Sequence, residues 1–275
     1  MRTPSGGARP LALVTGATAG IGRVFADRLA RRGYDLLLVS RDGQRLAAVA
    51  RELSGLGISV EVLEADLSRD DDVARVAERI KTGNPLSLLV NNAGFGTKGL
   101  LIETPVEPQV AMLHLHVLAP MRLIQAALPG MLARRSGGVI NVSSVAGFLF
   151  SPGSVNYCAS KAYLTVFSEG LATELAGTGI RVQALCPGFT RSEFHQRMAM
   201  DSAALKRRRL WLTAEYVVDT SLAALDRGGP VVFIPGFRYK LIAALLRLMP
   251  RRLLRYLMQK RQHPRSGRPV ENAKF

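Results

Sequence analysis

Tyr157-Cys158-Ala159-Ser160-Lys161, with Ser144 thirteen residues upstream, is the stretch of this chain whose residue types and spacing can do chemistry. Set in a helix, Tyr157 and Lys161 stand four residues apart on one face, close enough for their side chains to interact. A free phenol ionises near pH ~10, which makes it a poor proton donor or acceptor at neutrality. An ammonium held beside it favours the phenolate and lowers that value. Bringing it to about 7 takes roughly 3 units, or about 4 kcal/mol, which a desolvated neighbouring charge can supply. The Ser144 hydroxyl is then available to polarise a carbonyl whose oxygen receives the phenolic proton. Alone, Tyr-x-x-x-Lys occurs by chance on many exposed helices, so the weight falls on the elements that would position it.

Those elements begin with residues 11–15 (Leu-Ala-Leu-Val-Thr), which read as a short buried strand. Gly16-Ala17-Thr18-Ala19-Gly20-Ile21-Gly22 follows at once, and a helical pattern runs over 21–32 to Gly33. Strand, glycine-rich turn and helix together make a phosphate site: glycines admit a close pyrophosphate, and the helix N-terminus offers free N–H groups and a positive dipole end. The competing reading is a tight turn with no ligand. A second buried strand, 34–39, ends at Ser40-Arg41-Asp42. A carboxylate at this point suits the ribose hydroxyls of NAD, whereas arginine suits a 2′-phosphate. Arg41 therefore predicts NADP(H), with Asp42 keeping NAD(H) as the lesser alternative.

Further along, the pattern predicts helices over 45–56 and 70–82, a helical run over 106–134, and the Tyr157 helix to residue 176. Strands are predicted at 59–65, 86–90, 139–142, 181–185 and 231–234, which makes seven in all. Alternation of strand and helix implies an α/β fold, a single Rossmann-like doubly wound parallel sheet with helices on both faces. Asp66-Leu67 follows the third strand, where it would meet an adenine edge. No internal repeat or linker interrupts the chain, and its ordinary hydrophobic content excludes a disordered one. The two cysteines, Cys158 and Cys186, have no metal-like spacing, so no metal site is expected and a reducing compartment fits. Residues 1–10 show no apolar run, so the expectation is a cytoplasmic protein without a signal peptide.

With these residues in hand, the chain resembles the short-chain dehydrogenase/reductase family over residues 10–237. The resemblance rests on Thr15-Gly16-x-x-x-Gly20-Ile21-Gly22, Asp66, Asn91-Asn92-Ala93-Gly94, Ser144, Tyr157-x-x-x-Lys161 and Pro187-Gly188. It implies that Tyr157 is the acid/base and that Ser144 orients the substrate oxygen. Lys161 would lower the Tyr157 pKa and hold the nicotinamide ribose, and Asn91 would support the cofactor pocket. The cofactor would lie against Gly16, Thr18, Gly20, Ile21, Gly22, Arg41, Asp66, Leu67, Asn92, Ala93, Gly94, Pro187 and Gly188, with Thr190 at the carboxamide. It also implies homo-oligomers through the long helices near 106–134 and 155–176. One position departs from the pattern. Where the family carries a relay asparagine behind the lysine, this sequence has His116, whose imidazole can also donate and accept; the alternative is a core histidine satisfied by backbone.

Net charge is +16, and residues 238–275 hold 11 Lys/Arg against the single acid Glu271. This C-terminal extension reads as two short basic amphipathic helices divided at Pro250, too short to span a bilayer. Peripheral membrane contact, packing over the substrate mouth or against another subunit, and nucleic-acid binding are its readings, the last without any accompanying motif. The segment after Pro187-Gly188, with Phe194, His195, Met198, Met200, Leu210 and Trp211, suggests an adaptable apolar substrate wall. The function implied is an NADP(H)-dependent oxidoreductase that interconverts a carbonyl and a secondary alcohol on a lipid-, steroid- or polyketide-like small molecule. Its rival is a non-catalytic NADP-binding regulatory or scaffold protein that works through the basic tail.

Overall fold

A computed structural model of the chain describes residues 9–191 and 211–262. Strand β1 (Leu11–Thr15) and helix α1 (Gly20–Arg31) open an alternation that continues through β2 (Asp35–Ser40), α2 (Gly43–Ser54), β3 (Val60–Glu64), α3 (Asp70–Thr82) and β4 (Leu86–Asn91). Next come α4 (Val106–Leu113), a π-helical turn (His114–Leu118), α5 (Ala119–Ala133), β5 (Gly137–Val142), a 3-10 turn (Val145–Phe148), α6 (Val155–Glu174) and β6 (Ile180–Leu185). The last described elements are α7 (Ala214–Asp226), β7 (Val232–Phe233), α8 (Phe237–Leu248) and α9 (Arg251–Gln262).

The strands form one parallel sheet in the order β3-β2-β1-β4-β5-β6-β7. Successive side chains of a strand point to opposite faces. Ala12 and Val14 of β1 meet Phe25, Leu29, Leu46 and Val217 from α1, α2 and α7. Leu13 meets Val73, Leu123 and Leu171 from α3, α5 and α6. Because both faces are covered, β1 is apolar from Leu11 to Val14 instead of alternating. Burying a side chain the size of Phe25 or Leu29 contributes roughly 1.5–3 kcal/mol. Strand order reverses between β1 and β4, and the carboxyl ends of those two strands open the crevice where such sheets bind ligands.

Two differences from the sequence expectation have physical causes. Gly137 and Gly138, expected to precede β5, lie within it, since a Cβ on Gly137 would meet the Met131 side chain. The run expected over 106–134 is divided by the π turn, where Ala119 N–H bonds the His114 carbonyl five residues back. Pro120 follows directly and has no N–H to give the His116 carbonyl in an α register. Taken together, Val106–Ala133 is long and apolar enough to cross a membrane. Its residues Leu123, Ile124, Ala127 and Met131 are nevertheless buried against the sheet, as in a core helix. A third cluster, Ala184, Cys186, Ile234, Tyr239 and Ala243, seats α8 on the ends of β6 and β7.

Candidate active site

The loop after β1 is shaped around backbone. Gly16 and Gly20 have φ of +67° and +55°, the left-handed region that glycine occupies without steric cost. A Cβ on Gly22 would collide with the Asn92 side chain and the Gly16 carbonyl, so only glycine fits there. Asn92 Nδ2 donates to the Thr15 carbonyl (2.9 Å), and the Thr15 hydroxyl accepts from the N–H groups of Asn92 and Ala93 (2.9 Å each). These bonds tie the end of β4 to the glycine loop across the switch point. Ala19 precedes α1 with no side chain able to cap it, and the first turn carries no acid. The helix N-terminus is thereby left to an anion.

At the other end of the crevice, the Ser40 and Thr18 hydroxyls lie 3.3 Å apart, and Ser40 and Arg41 line the cavity wall. Asp42, the residue that kept NAD open, accepts from the Arg45 N–H (3.0 Å) as the N-cap of α2 and does not line the cavity. The Asp66 carboxylate accepts from the Ser68 N–H (3.0 Å) and hydroxyl (2.7 Å), which fixes it beside Leu67 on the opposite wall.

Tyr157 and Lys161 occupy the first turns of α6, as their spacing predicts, and Ser144 begins the 3-10 turn facing them. The Ser144 hydroxyl is hydrogen-bonded to Tyr157 and also accepts from the Ala146 N–H (3.1 Å). Gly147 makes the close approach possible, since a Cβ there would sit 2.9 Å from the Lys161 carbonyl carbon and oxygen. Lys161 Nζ donates to the Val142 carbonyl (2.9 Å) and lies 5.8 Å from the Tyr157 ring centroid. Contrary to expectation, the lysine does not lower the phenol in the protein alone. Burial pushes Tyr157 up to about 12, with the Ser144 bond opposing it, and burial pushes Lys161 down to about 8. Both groups have left water, and loss of hydration moves each towards its neutral form.

Behind them, His116 sits in the π turn, 1% exposed and outside the cavity wall. Its Nδ1 lies 2.9 Å from the Ser160 hydroxyl, which donates to the Tyr157 carbonyl (2.9 Å). With that hydrogen committed, Nδ1 carries the imidazole proton and Nε2 is a bare acceptor. Nε2 is buried with no hydrogen-bond partner among the described residues, and it faces Gly94, where a Cβ would lie 2.7 Å away. Burial and the nearby Lys161 hold this imidazole well below its ordinary range, hence neutral. Asn91 does not reach the cavity; it bonds Asn141 across β4 and β5 (2.9 Å).

All of these walls bound one cleft of about 710 Å³. Gly16, Thr18, Gly20, Ile21, Arg41, Asp66, Leu67, Asn92, Ala93, Gly94, Ser144, Tyr157, Lys161, Pro187, Gly188 and Thr190 line it, while Gly22 shapes it from beneath. A chain trace of this kind, glycine loop to paired hydroxyls, is shared with known proteins. The short chain dehydrogenase family model matches residues 10–203. The chain belongs to that family. A short-chain dehydrogenase from Sphingobium yanoikuyae, solved in complex with NADPH, superposes with a TM-score of 0.78 at 35% identity, over 88% of this chain and 97% of that one. The bulky-bulky ketone specific alcohol dehydrogenase from Comamonas testosteroni gives a TM-score of 0.71 at 30% identity, over 96% and 97%. The 3-oxoacyl-(acyl-carrier-protein) reductase FabG of Staphylococcus aureus is 36% identical over 184 residues, 66% of this chain and 75% of its own.

In this short-chain dehydrogenase a further wall comes from residues that motif reasoning did not assign. Tyr239, Ile242, Leu246 and Met258, all from α8 and α9, close the cleft. The Tyr239 hydroxyl accepts from the Phe189 N–H (2.9 Å), and its ring fills the space that a Cβ on Gly188 would need. Their one sequence signal was the amphipathic period of the tail, which does not say what its apolar face covers. Phe194, His195, Met198, Met200 and Leu210, and the tail beyond 262, lie outside the described residues.

Proposed function

We propose that this short-chain dehydrogenase is an NADP(H)-dependent carbonyl reductase acting on a fairly apolar ketone. The observation that carries the reading is the Tyr157 phenol, buried and hydrogen-bonded to Ser144, at the end of a crevice shaped for a dinucleotide. Gly16, Gly20, Gly22 and the N-terminus of α1 would hold the pyrophosphate, Ser40 and Arg41 the 2′-phosphate, and Asp66 with Leu67 the adenine. The NADPH bound to the Sphingobium protein supports that choice of dinucleotide. When bound, the cofactor supplies the hydride. Ser144 orients the carbonyl oxygen, and Tyr157 gives that oxygen its proton. Lys161 stands behind the phenol, with His116 and Ser160 fixing the backbone turn that carries it. Apolar Ile242, Leu246 and Met258 favour a hydrophobic substrate, in keeping with the bulky ketones of the Comamonas relative.

NADPH oxidation over a panel of apolar ketones tests the reading. Tyr157→Phe is expected to lower kcat by about 10²–10⁴-fold with NADPH binding, followed by nucleotide fluorescence, retained. Turnover of the variant at the parent rate would overturn the proposal. Absence of turnover in the parent would favour the regulatory reading instead.

A further inference from the structure

The outward face of α8 and α9 carries a run of large, exposed apolar side chains. Phe237, Leu241, Leu245 and Leu248 are 79%, 52%, 55% and 83% exposed, at intervals of four, four and three residues that make one stripe. Leu253 and Leu257, four residues apart on α9, are exposed as well. Between residues 237 and 262 stand eight Lys/Arg and no Asp/Glu. The inward face of the same pair is committed: Tyr239 and Ala243 are buried, and the Arg247 guanidinium caps the Phe148 ring at 4.5 Å. The pair is thus anchored to the enzyme by one face and presents the other, at the rim of the substrate cleft. It lies beyond the part of the chain that the family model matches.

We propose that α8 and α9 form a docking surface for an anionic lipid bilayer, with the leucine stripe lowered among the upper acyl chains and the arginines set against lipid phosphates. The inference stands whether or not the reductase reading holds. Charge and composition select this occupant. A second copy in a two-fold contact would set this wholly basic face, which holds no acid, against an identical one. A nucleic acid would take the cations and leave the leucines in water. Spanning is excluded, since the 12 residues of α8 rise about 18 Å against about 30 Å of hydrocarbon.

Co-sedimentation of the full chain with phosphatidylcholine vesicles, with and without phosphatidylglycerol, tests the proposal. Binding is expected on the anionic vesicles alone and is expected to fall as salt is raised. Each cation at the surface is worth roughly fivefold in partitioning, so Arg251→Gln/Arg252→Gln should lose roughly twenty-five-fold. Leu245→Gln/Leu248→Gln keeps every cation and every inward residue, and it should lose roughly a hundredfold with an unchanged circular-dichroism melting curve. Should the leucine pair lose its fold, the arginine pair decides. Equal partitioning on both vesicle types, binding to neither, or stripe and arginine variants that bind like the parent would each overturn it. So would a stripe variant that changed self-association and left vesicle binding intact.

Discussion

Lys161 is held as a cation against the preference of its surroundings. Burial brings its pKa to about 8 from 10.5. Between those values the unfolded chain binds more protons than the folded one, so stability rises with pH across that window. Below pH 8 the full cost applies, about 3 kcal/mol. Lys161→Met removes it, less about 2 kcal/mol for the lost charged hydrogen bond to Val142. Calorimetry of the cofactor-free protein should therefore show the variant melting above the parent at pH 7, with the gap closing towards pH 10.5. A variant that melts lower at pH 7 would contradict this sign. Tyr157 acts in the opposite sense: its raised value contributes stability that is whole below pH 10 and lost as pH passes 12. Both residues could be found in the sequence, because i and i+4 share a helix face and the glycine loop and Ser144 stand at matching places before them. Their ionisation could not, since it depends on how much water the folded walls exclude, and no motif records that.

Between elements, contact is made where a side chain of one occupies space that a glycine of another leaves open. Tyr239 of α8 does this over Gly188, after β6. Gly188→Ala forces the ring aside and disturbs the bond to Phe189, and overpacking of this kind costs about 1–3 kcal/mol. Chemical denaturation should show that loss, and adding Tyr239→Leu in the same chain should recover part of it. Unchanged stability in the single variant would mean that the ring yields freely. Glycine loops were readable because strand, turn and helix each leave their own period. The seat of Tyr239 was not, because its partners are fifty residues apart and the tail pattern fits several surfaces equally well. The π turn escaped for a related reason: Pro120 follows Ala119 in a run that otherwise keeps helical spacing.

For the molecule as a whole, strand number, the parallel sheet and its coverage on both faces followed from alternation, since a strand buried on two sides must be apolar throughout. The register of β5 and the shortness of β7 did not, since they depend on which neighbour fills the space beside a glycine or an edge. Binding at the switch point joins strands distant in sequence, so a ligand there stabilises the entire fold, by about 2.7 kcal/mol at a hundredfold excess over Kd. NADPH should raise the Tm more than NADH at equal concentration, because Arg41 faces the crevice while Asp42 is occupied as a cap. Arg41→Asp should reverse that order; an unchanged order would remove Arg41 from cofactor choice. The wall supplied by Tyr239, Ile242, Leu246 and Met258 has a consequence for biosynthesis. It is the part of the cleft that a ribosome makes last, after every strand of the sheet. A nascent chain can accordingly complete the strands around its nucleotide crevice before it has made the wall that closes it.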